Sequence, residues 1–157
     1  MTINIDPIKC EIEVPLNVAD AFKFFVTDFS KWWPSEYTWS QESLVSIAIE
    51  HHLGGRCTET GPHGFQIDWG RVLEWYPSEK LKFSWQISPN REPIPDSEKA
   101  SVVAVDFEAI NANTTLLVLT HDRFEKHGEG ALAYRDSLAS NYGWPFILNR
   151  YLEGAKP

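Results

Sequence analysis

At 157 residues, with 43% apolar residues, the chain is long enough to bury a core without disulfides or a structural metal, and it reads as one domain over 1–157. Its formal net charge of −8, with Lys and Arg scattered and nowhere three in a row, excludes a sequence-independent grip on nucleic-acid phosphates and opposes anionic membrane surfaces. No apolar run reaches the roughly 18–20 residues of a membrane span, and Met1 to Pro7 lacks the basic-then-apolar pattern of a signal peptide, so the expectation is a cytoplasmic protein.

Lys9 to Val14 alternates loosely and ends at Pro15, which predicts a first strand. Asn17 can then cap a helix, with Asp20 in the first turn where a carboxylate suits the helix dipole. Val18, Phe22, Phe25 and Phe29 recur at spacings of three and four and form one apolar stripe, so this helix should run from about 18 to 27. Phe29-Ser30-Lys31-Trp32-Trp33-Pro34 follows. Pro34 disfavours a helical conformation at Trp33, which predicts a short helical turn and then a loop through Glu36-Tyr37-Thr38-Trp39. That loop is aromatic rather than polar, so it should lie over something apolar.

From Leu44 to His121 the pattern is of successive strands. Leu44 to Glu50 is one, Gly54-Gly55 marks a hairpin turn, and Arg56 to Thr60 returns. Gly61-Pro62-His63-Gly64 turns the chain into a long strand, Phe65 to Tyr76, in which Gly70 is a candidate bulge. After Pro77-Ser78-Glu79-Lys80, the alternation of Leu81, Phe83, Trp85 and Ile87 with Lys82, Ser84 and Gln86 predicts a half-buried strand. Ser88 to Lys99, with Pro89, Pro93 and Pro95 among charged residues, reads as a long exposed loop. Val103, Val105 and Phe107 alternate in the next strand, Asn111-Ala112-Asn113 turns, and Thr114 to His121 is the last strand.

The C-terminal third changes period. Leu132, Leu138, Tyr142, Leu148 and Leu152 fit one helical face, with a break at Gly143-Trp144-Pro145 where Pro145 kinks or restarts the helix. The expected fold class is therefore α+β: a curved antiparallel sheet of about six or seven strands wrapped around a long C-terminal helix, with two short helices after the first strand. Facing side chains that do not meet across such a grip leave a space where small molecules bind.

These residues carry a family resemblance. Gly54-Gly55, the run Gly70-Arg71-Val72-Leu73-Glu74 leading to Pro77-Ser78-Glu79-Lys80-Leu81 and Phe83-Ser84-Trp85, Thr114-Thr115-Leu116 with Leu119-Thr120-His121, and Gly130-Ala131, Tyr134-Arg135 and Gly143-Trp144-Pro145 resemble the helix-grip superfamily of START and Bet v 1-like (SRPBCC) domains. Within it, the chain is similar to single-domain relatives of the C-terminal domain of the activator of Hsp90 ATPase (AHSA1-type), from about Lys9 to Glu153. The resemblance implies the helix-grip fold. It leaves function open, because that fold hosts carriers, receptors, cyclases and co-chaperone domains, and it implies no ATPase-activating role without the N-terminal domain of the eukaryotic activator.

Seven tryptophans spread over unlike segments (Trp32, Trp33, Trp39, Trp69, Trp75, Trp85 and Trp144) either stiffen a core or line an apolar chamber. The first expectation is a binding module for a small apolar or aromatic molecule, with Trp33, Trp39, Trp69, Arg71, Trp85, His121, Tyr134 and Trp144 as the ligand-contacting set. Trp85 and Trp144 also read as core, and Trp33 and Trp39, lying in a loop, as a lid. On strict alternation Arg71 shares a face with Trp69 and Trp75, and an inward Arg71 needs a carboxylate or an anionic ligand; a bulge at Gly70 turns it outward, the placement favoured by the glycine. The second expectation is a protein-interaction or stress-response domain with a chaperone partner, as monomer or homodimer. The third is a cavity enzyme for proton transfer, dehydration or cyclisation, with His121 as base and Arg71 or Tyr134 as its helper. No nucleophile elbow or phosphate loop is present, so catalysis is not required, and no cofactor is expected. His51 and His52, adjacent on a strand, would face opposite ways and cannot share a metal, so no metal is expected. Cys10 and Cys57 read as buried thiols.

Overall fold

The computed structural model describes residues 4–156; residues 1–3 of the stretch read for a leader, and residue 157, lie outside the described residues. Seven strands, β1 (Ile8–Val14), β2 (Ser46–Ile49), β3 (Arg56–Thr60), β4 (Gln66–Tyr76), β5 (Lys80–Trp85), β6 (Ser101–Asn111) and β7 (Thr114–Asp122), form one antiparallel sheet in the order β1-β7-β6-β5-β4-β3-β2. Two helices, α1 (Val18–Thr27) and α2 (Phe29–Trp32), follow the first strand, and α3 (Ala131–Ala139) and α4 (Trp144–Ala155) close the chain. This is the expected helix-grip architecture, a curled half-barrel holding a bent C-terminal helical segment.

The first helix starts where its cap dictates: the Asn17 side-chain oxygen accepts the Asp20 backbone N–H at 2.9 Å. Phe22, Phe25 and Phe29 are buried on the predicted stripe. Phe25 and Phe29 pack against Trp32 with ring centroids 4.9 and 5.0 Å away, and Tyr151 of α4 donates to the Ala21 carbonyl at 2.7 Å. Trp33 is extended, with ψ 133°, as a residue before proline should be.

The strand β4 departs from simple alternation at two places. Cys57 pairs with Gly70 and Thr58 with Asp68, leaving Trp69 as an extra residue; Val72 pairs with Phe83 and Glu74 with Lys82, leaving Leu73 as another. Each bulge advances the phase by one residue. Trp69, Val72 and Trp75, spaced by three, therefore face the helices, while Arg71 and Leu73 turn away. Gly70 permits the close approach at the first bulge, since a Cβ there would collide with the Ser84 carbonyl oxygen.

One further expectation is corrected. Leu132 and Tyr142 are 58% and 80% exposed and leave the face read through them, while Leu148 of that face is buried in α4 beside Trp144, Ile147 and Tyr151, and Leu138 and Leu152 pack against the core. Leu132 is six residues from Leu138 and so lies on another side of α3, and Tyr142 sits in the turn at 140–143 between the two helices. The segment Ser88 to Lys99 is largely exposed, as expected, and it is anchored: Ser88 N–H bonds to the Glu92 carbonyl, Ile94 N–H to the Gln86 carbonyl, and Gln86 Nε2 to the Ile94 carbonyl at 2.8 Å, which pins the excursion to the end of β5.

Candidate functional site

Between the sheet's concave face and the helical segment lies a cavity of about 630 Å³, within the range of about 300–1,000 Å³ usual for small-molecule sites. Its walls come from distant elements. The sheet contributes Ile47 of β2, Glu59 of β3, Trp69 of β4 and Trp85 of β5, with Trp33 from the end of α2. The opposite side is formed by Tyr134, Ser137 and Leu138 of α3 and Ile147 of α4. At the mouth stand Tyr37, Trp39, Gln41, Arg91 and the exposed Tyr142.

The indoles of the inner wall are rigidly placed. Trp33 stacks on Phe29 at 4.9 Å and 22°, Phe29 stacks on Trp69 at 5.6 Å and 17°, and Trp85 meets Trp69 edge-on at 6.2 Å. Such ring pairs add to burial by directing each ring's face or edge. Trp33 is 6% exposed and belongs to the wall, which corrects its expectation as a lid. Phe29, one turn earlier, is a local contact, but the Trp69, Trp85 and Trp144 rings that also meet Trp33 come from distant elements, so its local sequence gives no hint of this.

The aromatic loop after Trp33 is tied down at three points. The Glu59 carboxylate, 1% exposed, accepts the Trp39 and Ser40 backbone N–H groups at 3.0 and 2.8 Å. The Trp39 indole donates to the Arg91 carbonyl at 2.7 Å, and the Tyr37 hydroxyl donates to the Tyr142 carbonyl at 2.7 Å. The mouth is thus built from three segments far apart in sequence. Gln41 and Arg91, on two of them, both hold left-handed backbone (φ 48° and 62°), a conformation that non-glycine residues adopt at some energetic cost.

On the inner side, Trp85 Nε1–H donates to the Tyr134 hydroxyl at 2.7 Å, and that hydroxyl donates to the Ile87 carbonyl at 2.9 Å. Burial pushes the Tyr134 phenol up to about 12, so it is neutral and acts as a hydrogen-bonding strut near pH 7.

Behind Trp85 lies a second polar chain. Trp144 Nε1–H donates to His121 Nδ1 at 2.9 Å; His121 Nε2 lies 2.7 Å from Ser101 Oγ, and Ser101 Oγ lies 2.7 Å from His127 Nε2. An indole can only donate. His121 therefore carries its proton on Nε2 and donates to Ser101, which donates onward to His127 Nε2, leaving the His127 proton on Nδ1. Burial holds His121 well below the ordinary imidazole range, with the neighbouring His127 charge adding to the effect. Burial likewise lowers His127 to about 4.

Of the residues singled out in the sequence, Trp33, Trp39, Trp69, Trp85 and Tyr134 line the cavity. Arg71, His121 and Trp144 are not among its lining residues. Arg71 is turned by the bulge to the outer face, where its guanidinium lies 3.9 Å from the Asp68 carboxylate. His121 and Trp144 are fully buried behind the wall, and His121 has both ring nitrogens engaged, so a base role there would need the chain of bonds to open. His51 and His52 sit in the turn after β2: His51 stacks on Trp75 at 5.5 Å, and His52 Nδ1 lies 3.0 Å from the Leu53 carbonyl. Among the described residues no cluster of three or more His, Cys, Asp or Glu side chains could hold a metal ion. Cys57 is buried and Cys10 partly so; burial raises both thiols.

Glu59, Tyr37, Arg91 and Ile147 were not singled out in the sequence. The signal for Glu59 was present, because alternation in β3 puts it on the same face as buried Cys57. Nothing local marks Arg91, which reaches the cavity only because the 88–94 excursion folds back onto the sheet.

The family model described as Activator of Hsp90 ATPase homolog 1-like protein matches residues 17–150. Among solved structures, the chain is similar to an anthrahydroquino-γ-pyrone synthase, Txn09, at 29% identity and TM-score 0.68, covering 96% of this chain and 97% of that one. It shares its fold with CalC, a self-sacrificing resistance protein from Micromonospora echinospora (21% identity, TM-score 0.63, 95% and 93% covered). It also shares it with the Aha1 dimer from Colwellia psychrerythraea (14% identity, TM-score 0.62, 96% of each chain covered). No curated protein matches the sequence significantly.

Proposed function

Because the chain belongs to the family of Activator of Hsp90 ATPase homolog 1-like proteins, and its fold encloses an indole-walled cavity, we propose that it is a binding module for a small, largely apolar aromatic molecule. The observation that carries this reading is the cavity of about 630 Å³ bounded by Trp33, Trp39, Trp69 and Trp85. Flat, stiff side chains offer large contact area and lose little entropy when a planar guest stacks on them. The likeness to a synthase whose name describes a fused aromatic ring system supports the same ligand class. Placement in the cytoplasm belongs to this reading and is supported by two free thiols, Cys10 and Cys57.

The test is calorimetric titration with fused-ring aromatics, sterols and fatty acids, on the wild type and on Ala133→Phe. Ala133 is exposed and lines the cavity, so a phenyl ring there obstructs the space without disturbing the core. The expected result is saturable binding of an aromatic member, weakened about tenfold or more in the variant while its unfolding midpoint is unchanged. An absence of saturable binding across the panel overturns the proposal.

A second reading, a contact surface for another protein or a second copy of the chain, is supported by the exposed Tyr142 at the cavity mouth and the exposed Leu132 on α3 and by the fold shared with a dimeric Aha1. Light scattering over a concentration series separates it from the first, since a monomer at all concentrations removes the self-association form. Cyclisation or dehydration of a bound aromatic would add chemistry to the same cavity, and turnover of a bound ligand would reveal it.

A further inference from the structure

Most of the arginines are paired where they stand. Arg56 and Arg71 lie beside the Asp68 carboxylate, Arg135 bonds Asp136, and Arg150 bonds Glu36. Arg91 has no such ion pair among the described residues, and it is the one basic residue in the cavity lining. Its backbone is fixed at the mouth. The Arg91 N–H bonds to the Ser88 carbonyl at 2.9 Å, and the Arg91 carbonyl accepts the Trp39 indole N–H at 2.7 Å. Ser88 Oγ closes the same turn by accepting the Asn90 and Glu92 N–H groups at 3.2 and 3.0 Å. The turn holds Arg91 in the left-handed region, at φ 62°, a conformation that glycine would adopt without steric cost. Strained backbone of this kind clusters at ligand clamps, where the surrounding structure over-determines it. The Arg91 cation also acts on the inner wall: burial raises the Tyr134 phenol, and the Trp85 bond and the Arg91 charge draw it part of the way back.

We infer that the cavity takes an aromatic monocarboxylate, with its rings among Trp33, Trp69 and Trp85 and its carboxylate on the unpaired Arg91 guanidinium at the mouth. The inference rests on the ligand-binding reading above and sharpens it from shape to charge. A guanidinium is a planar fork that meets a carboxylate with two parallel hydrogen bonds. Glu59, the acidic residue of the same lining, does not take that place: it is 1% exposed, and its two oxygens are engaged by the Trp39 and Ser40 amides. Arg91 is exposed, so a carboxylate set on it keeps part of its hydration while the rings enter the apolar interior, and the cost of burying a charge is avoided. The net charge of −8 repels anions from the molecule as a whole. A preference for an acid over a neutral ligand of the same outline therefore has to come from a cation placed at the site, and Arg91 is the specificity-determining residue.

The probes are 2-naphthoate and 2-naphthamide, which share one outline and differ by a charge. They are titrated by calorimetry at pH 7.5 and low salt into the wild type, Arg91→Gln and Arg91→Lys. Both variants keep a long, unbranched side chain on the same left-handed backbone, and only the second keeps the cation. The wild type is expected to bind the acid about fivefold or more tightly than the amide. Arg91→Gln should erase that preference while holding the amide within about twofold, and Arg91→Lys should retain part of it. A merely structural role for Arg91 would weaken both probes together in both variants. Equal binding of the two probes to the wild type, tighter binding of the amide, or a preference that survives Arg91→Gln overturns the inference and leaves the ligand-binding reading standing. Binding of neither probe overturns the inference, and the reading itself falls only if the wider panel above also fails.

Discussion

The indole N–H of Trp144 lies 2.9 Å from Nδ1 of His121, and this contact between the start of α4 and the end of β7 sets the direction of every proton in the chain behind the cavity. His121 is held neutral by burial, and His127 is lowered to about 4 for the same reason. In the unfolded chain both imidazoles return to about 6.5. Between those values the unfolded state binds protons that the native state does not, so stability falls as the pH is lowered from about 6.5 and is retained above it.

The expected outcome is a free energy of urea unfolding that declines between pH 6.5 and pH 5, with His121 alone contributing a slope that approaches about 1.4 kcal/mol per pH unit. His121→Gln, which can still accept from Trp144 and donate to Ser101, should lose that part of the slope. A profile that is flat from pH 7 to pH 5 contradicts the assignment.

Glu59 has a different role from that of the indoles around it. Its buried carboxylate takes two backbone N–H groups from Trp39 and Ser40, so its removal leaves both amides without an acceptor and releases the loop that carries Trp39. Glu59→Ala should lower stability by about 2–4 kcal/mol and speed hydrogen exchange at the amides of Trp39 and Ser40. Glu59→Gln, which keeps one side-chain oxygen, should fall between the two. Unchanged exchange at both amides would show that the loop is held by its aromatic contacts alone.

Gly143 sets the joint between α3 and α4. A Cβ at this position would run into the backbone of Leu138, and neither helix can give way without moving the cavity residues Leu138 and Ile147. Gly143→Ala is expected to destabilise the protein by about 2–4 kcal/mol, measured by urea unfolding, and to weaken ligand binding beyond that loss. A stability within about 0.5 kcal/mol of the wild type would mean that the joint is compliant.

The order of elements, the Asn17 cap, the Phe22–Phe25–Phe29 stripe and the alternating strands from Leu81 onward were legible because each depends on residues within a few positions of one another. Reading β4 was harder. Its two bulges shift which residues face inward, and the shift is registered by the neighbouring strands, since the Gly70 bulge is defined by where Cys57 and Thr58 pair. Glycine at position 70 hinted at the first bulge; the second, at Leu73, has no local mark. The buried face of the C-terminal segment was misread at Leu132, which is six residues from Leu138 and so on another side of α3, and at Tyr142, which lies in the turn before Gly143 rather than on a helix.

Local sequence thus determined the secondary structure, the helix-grip class and the presence of an aromatic surplus on the inner side of the sheet, since period and propensity act over one or two turns of chain. Only the tertiary structure decided which aromatic rings enclose space and which fill it. Trp69 and Trp144 are equally buried tryptophans in sequence-level terms, yet one lines the cavity with its N–H unmatched and the other is locked onto His121. That difference depends on where strands, loops and helices from across the chain meet, and the packing and hydrogen bonding that decide it are long-range.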